Sequence, residues 1–143
     1  MKRLFNTNFN NESVHFMLLV LRVAAGAFML VHGYQKLGWI TAGGEIQFGD
    51  PIGVGPVLSL YLAVFAEFFC SILLILGLAT RFALIPLIVT MVVAVGIVHA
   101  ADGFDKKELG LHYLVVYLFL LVAGAGKYSI DNLISRNLSG RRR

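Results

Sequence analysis

Arg22 and Glu67 stand inside long apolar runs of this sequence. An isolated charge at mid-bilayer costs roughly 2.5–3.5 kcal/mol on insertion scales. Arg22 lies about eight residues into its run from Val14, roughly 12 Å deep at ~1.5 Å per residue. Glu67 lies about eleven residues from the far end of the second run, roughly 16 Å deep. The two levels differ by about one helical turn, so an Arg22–Glu67 ion pair is the expected solution. Such a pair either fixes which helices touch or forms part of a proton or ligand site.

A second constellation sits at the opposite ends of the runs. His32 and Lys36 close the first, His99 and Asp102 close the third, and Glu108 and His112 open the fourth. The spacings i,i+4, i,i+3 and i,i+4 put each pair on one helix face. Three imidazoles and two carboxylates at one depth could relay protons, hold the head group of a quinone, or bind a transition metal through His32, His99 and His112. Neither an HExxH motif nor a cysteine ligand accompanies them, so no metal site is assigned. The plain alternative is that interfacial histidines snorkel or bond backbone. No cofactor is evident from motifs, and a quinone is the organic group this set suits. His15 stands apart from both groups. Cys70 reads as a small buried hydrophobe; one cysteine excludes an internal disulfide or a CxxC pair.

The elements that must position these groups are helices. In the first run, ~100° per residue places Arg22, Ala25, Gly26, Met29, His32, Gly33 and Lys36 on one face, where small residues and charge coincide. The chain has 143 residues, 58% hydrophobic and 14% charged, against about 25% charged in a typical soluble domain. Four apolar runs, about 14–34, 57–78, 82–100 and 109–126, each approach the length needed for a hydrocarbon core of ~30 Å. None carries the polar face of a soluble bundle helix. The expected fold is an all-α membrane protein, a four-transmembrane-helix bundle forming one domain over 1–143. The first run is too long for a cleavable signal and holds Arg22, so it reads as a retained span.

With both termini inside, the inner side carries Lys2, Arg3, Arg81, Lys127, Arg136, Arg141, Arg142 and Arg143, against Lys36, Lys106 and Lys107 outside. That asymmetry places both termini in the cytoplasm. The net charge of +4 therefore reads as topology, not as nucleic-acid affinity. Ala79-Thr80-Arg81 is a tight turn that makes spans two and three antiparallel neighbours. The long outer loop from Gln35 to Pro56 holds Gly43, Gly44, Gly53 and Gly55 with Pro51 and Pro56, and could fold over the outer mouth of the bundle. Ser129 caps a short interfacial helix carrying Ile130, Leu133, Ile134 and Leu138, within a basic tail over 127–143.

Read in order, Arg22-x3-Gly26 and His32-Gly33-x2-Lys36-Leu37, then Glu67 and Leu76-Gly77-Leu78-Ala79-Thr80-Arg81, then Glu108 and Gly124-Ala-Gly126-Lys127-Tyr128-Ser129-Ile130-Asp131, resemble the DoxX family from about Val14 to Asp131. The resemblance implies a small multi-pass protein of the bacterial inner membrane. Its family-type polar positions are Arg22, His32, Lys36, Glu67, Arg81, Glu108 and Asp131. Members are linked to quinol and thiosulfate:quinone oxidoreductase systems and to detoxifying enzymes; the thiol chemistry of relatives with a CxxC pair has no counterpart here. The expected function is an accessory subunit of a quinone-linked redox system, binding quinol between spans one, two and four. A structural partner that assembles with another membrane protein or with itself, and a small proton-linked transporter, are the other two readings. The transporter needs a polar path below Arg22, where the sequence shows almost no polar residues.

Overall fold

Helix α1 (Asn11–Thr41) begins where Asn10 caps it, the Asn10 side chain accepting the Glu12 amide at 3.1 Å. It runs 31 residues and overshoots the expected 14–34 at both ends, because nothing breaks it before Gly43 and Gly44. The computed structural model describes residues 10–140, and every regular element among them is helical. Lys2, Arg3 and Arg141–Arg143, which enter the charge count, lie outside the described residues.

Helix α2 (Pro56–Leu76) opens on a proline, whose missing amide costs nothing in a first turn. Asp50 ties the loop to this helix start: the carboxylate accepts the Val54 and Gly55 amides at 2.9 Å each and the Ser59 hydroxyl at 3.0 Å. The Gly55 amide first, then the hydroxyl and the other amides, hold the Asp50 carboxyl below its ordinary range. A depressed folded value means stability present above the unfolded value and lost as pH falls through the folded one. The melting-temperature advantage of wild type over Asp50→Ala should therefore be constant above about pH 5 and shrink below about pH 4. A constant difference down to acid unfolding would show that the Asp50 carboxylate does not stabilise this helix start.

Within α2 the segment Phe65–Cys70 forms a π turn, and α2 ends at Gly77 in the left-handed conformation, φ 67°. Leu78 donates to Leu73 at 3.0 Å and Gly77 to Leu74 at 3.1 Å, the paired bonds of a Schellman end. Helix α3 (Thr80–Val98) follows within three residues and closes on a second π turn, Ala94–Val98. Helix α4 (Phe104–Ala123) differs from the expected 109–126. Asp105, Lys106, Lys107 and Glu108 continue the helix outward, and Gly124, φ 79°, stops it early. Helix α5 (Ile130–Gly140) is the last element among the described residues, with Ser129 accepting the Asn132 amide at 3.2 Å.

Helices α1, α2 and α3 are long and apolar enough to cross a membrane; α4 is a fourth long helix with a charged first turn. Leu18 and Met29 from α1, Leu74 from α2, Leu84 and Leu87 from α3, and Tyr117 and Leu120 from α4 build the shared core. Phe28, Phe69, Phe82 and Val122 point outward, exposed as lipid-facing side chains are.

The start of α1 and the segment after α4 lie together at one end of the bundle, the terminal end, where Lys127 pairs with Glu12 at 2.6 Å. The two motif stretches around residues 77–81 and 124–131 meet there. Asp131 accepts the Ala79 amide at 2.7 Å and the Thr80 amide at 2.9 Å, and its own amide donates to the Gly77 carbonyl at 2.9 Å. Ala79, at φ 48°, has no side chain able to cap α3, so Asp131 does it from across the turn. Asp131→Ala is expected to cost about 2–3 kcal/mol, since two charge-assisted bonds go and the helix start is left open. Thermal unfolding in detergent measures it; a loss within error of zero would contradict this role.

Candidate functional site

Glycine sets the depth at which α1 and α2 meet. A Cβ on Gly33 would stand 2.5 Å from the Glu67 carbonyl carbon and 2.5 Å from the Phe68 amide nitrogen, so the backbones touch there. One at Gly26 would meet Ile75 at 2.7 Å and the Ser71 carbonyl at 3.2 Å, two turns further along the same seam. The π turn widens the inward face of α2: Ala66 and Glu67, though adjacent, are both buried, as are Cys70 and Ser71. Glu67 thus enters the seam at the level of Gly33, and Lys36, one turn on, reaches its carboxylate at 2.5 Å. Glu67 is 4% exposed.

This arrangement corrects the expected Arg22–Glu67 pair. With Gly33 opposite Glu67, antiparallel register carries Arg22 to the level of Gly77, ten residues further along α2 or ~15 Å away. Arg22 is 1% exposed, and its Nη2 donates to the Tyr128 carbonyl at 2.7 Å. Its guanidinium fills the space that a side chain on Gly77 would need. Depth counted from the ends of apolar runs misled because α1 extends beyond its run.

Two cavities meet at the Lys36–Glu67 pair. The first, about 200 Å³, lies between α1, α3 and α4, and its polar walls are His32, Lys36, Glu67, His99, Lys106 and Tyr113. The second, about 480 Å³, lies between α2 and α3 and is mainly apolar, with Leu62, Phe65, Pro86, Val89 and Val93 in its walls. Phe48, Pro51 and Ile52 of the long loop also line it, so that loop does fold back over this end of the bundle. Lys36, Glu67, Ala94 and His99 border both cavities, and each π turn contributes to them. Phe65 and Val89 are exposed on the lipid-facing surface, which makes the larger cavity reachable from the side.

The outer cluster assembles only in part. His99 Nδ1 lies 2.7 Å from Asp102. His112 is exposed and bonds the Glu108 backbone carbonyl at 2.9 Å, not its carboxylate, and neither residue borders a cavity described above. His112 therefore does not join His32 and His99, and among the described residues no three His, Cys, Asp or Glu side chains converge as metal ligands. The apolar cavity also stands between α2 and α3, not between spans one, two and four. Tyr113 and Tyr117, stacked with centroids 5.7 Å apart, escaped the sequence reading; an i,i+4 tyrosine pair in an apolar run is the signal for them.

The model of the DoxX family matches residues 17–100. A protein of Haemophilus influenzae is 32% identical over 83% of this chain and 83% of its own length, and bears the name "Uncharacterized protein". An uncharacterized membrane protein of Mycobacterium tuberculosis is 29% identical over 83% of this chain and 82% of its own. A Bacillus subtilis protein with the name "Putative oxidoreductase CatD" is 28% identical over 87% of this chain and 91% of its own. No solved structure matches.

Proposed function

The chain belongs to the DoxX family of membrane proteins, and from that premise we propose that it is an accessory subunit of a quinone-linked redox system. It takes the head group of a membrane-dissolved quinol beside Lys36 and Glu67. The observation that carries this reading is the lateral, mainly apolar cavity ending on a buried ion pair. Its volume, about 480 Å³, falls in the range of small-molecule sites. The residues fit the group: Phe65, Val89 and Val93 suit a ring and the start of an isoprenoid tail, and the Lys36 ammonium and His99 offer donors to its oxygens. The name of the Bacillus subtilis relative agrees with a redox setting.

Four crossings with both termini in the cytoplasm complete the reading. Val115, Phe119 and Val122 give α4 an apolar outward face, while Lys106, Lys107 and Glu108 lie where head groups would be. The interfacial face of α5, with Leu133, Ile134 and Leu138 exposed, then rests on the inner leaflet of the bacterial inner membrane.

Purification from native membrane followed by mass spectrometry of the organic extract tests the ligand. The expected result is a co-purifying quinone that is lost from Val89→Trp, which fills the cavity, and from Glu67→Gln. A folded wild-type protein that carries no quinone and binds none from quinone-loaded nanodiscs would overturn the reading.

A further inference from the structure

Below the Lys36–Glu67 pair the core contains polar atoms that no protein group satisfies. Arg22 Nε and Nη1, Ser71 Oγ, Thr80 Oγ1 and the Tyr117 hydroxyl all lack a partner. Ser71 and Tyr117 are 0% exposed, Arg22 and Thr80 1%. Unsatisfied buried polar groups are rare, and several together in a dry core would consume a large share of a domain's stability.

Their placement is ordered along the bundle. Glu67 and Tyr113 border the polar cavity. One turn toward the terminal end come Ser71 on α2, beside Gly26, and Tyr117 on α4, stacked on Tyr113. Further along lie Arg22, against Gly77, and Thr80, whose amide bonds Asp131 as Asp131 bonds Gly77. Successive levels are separated by roughly one or two helical turns, about 5–11 Å, which one to three hydrogen-bonded waters would span.

We propose that these groups line an internal water thread running from the Lys36–Glu67 pair toward the terminal end, and that Arg22 closes this thread to protons. Hydroxyls donate and accept, so Ser71, Tyr117 and Thr80 can each bond water on two sides. Arg22 only donates and stays charged. Its nearest acid, Asp131, is already committed to the Ala79 and Thr80 amides, and among the described residues no carboxylate forms an ion pair with Arg22. A fixed cation beside a water file passes water and repels hydronium. The upper end is different: there Glu67 shares a polar cavity with Lys36 and His32 from α1, His99 from α3, and Lys106 and Tyr113 from α4. The thread does not depend on the quinol reading.

Hydroxyl-radical footprinting by water radiolysis tests the thread in wild-type protein in nanodiscs. Tyr117, though enclosed, should be labelled within about tenfold of its rate in unfolded chain, because radicals form from the water beside it. Tyr117 protected as completely as a dry core residue would overturn the thread. Proton flux into liposomes tests the stop. Arg22→Met should leak at least about tenfold faster than wild type, Arg22→Lys should stay tight, and adding Tyr117→Phe to Arg22→Met should close the leak. A folded Arg22→Met as tight as wild type would overturn the stop. Should Arg22→Met fail to insert, Arg22→Gln, which keeps the planar donor group without the charge, takes its place with the same expectation.

Discussion

Lys36→Met is expected to cost about 3–5 kcal/mol, the scale for stranding a buried charge. It leaves the Glu67 carboxylate, 4% exposed, without its counter-charge in the seam between α1 and α2. Glu67→Leu should cost less. The Lys36 side chain is 21% exposed and sits near the end of α1, so its ammonium can swing toward water when the carboxylate is gone. The double variant, Lys36→Met with Glu67→Leu, should recover most of the stability, because two apolar side chains of similar size need no pairing. Unfolding in mixed micelles, measured on the single variants and the double, gives the coupling directly. Two single variants as stable as wild type would show that the pair contributes nothing to the fold. The double variant also separates fold from function: a stable bundle that no longer retains quinone would assign the pair to ligand binding.

The second large effect is expected at Gly33. A methyl group there meets the backbone of Glu67 and Phe68 at 2.5 Å to 2.6 Å, and backbone inside a packed helix cannot step aside. Gly33→Ala should force α1 and α2 apart and cost about 3 kcal/mol. Gly26→Ala meets mainly the flexible Ile75 side chain and should cost less. Gly38→Ala meets nothing within 4 Å and lies within α1, so it should stabilise by roughly 0.5–1 kcal/mol. The same chemical change at three positions of one helix thus spans a loss, a smaller loss and a gain. Equal effects at all three would mean that helix propensity, not the α1–α2 contact, governs this face.

The large contacts were legible in part. Of the face drawn through Arg22, Ala25, Gly26, Met29, His32, Gly33 and Lys36, all but His32 and Lys36 are buried and those two are half-buried, because charged and small residues on an apolar helix mark the side that turns from lipid to its neighbours. Ser129 as a cap follows from its place before an amphipathic stretch. Asp131 bonding the turn at Ala79 and Thr80 does not follow from either stretch alone, since the residues are some fifty positions apart. The π turns have no sequence period to announce them; they arise where packing favours one extra residue in a turn.

By itself the sequence determined the helices, their approximate ends and the need to satisfy its intramembrane charges, all consequences of local apolar length and of the cost of burying charge. Tertiary structure decided who satisfies whom. The choice of Lys36 over Arg22 as the partner of Glu67 turns on a register of a few residues between two helices. That register is set where Gly33 lets backbone touch backbone, a contact between positions 33 and 67 that no pattern within either helix encodes. Apolar length locates a charge along the membrane only to within a turn or two, whereas an ion pair forms or fails over a few ångströms.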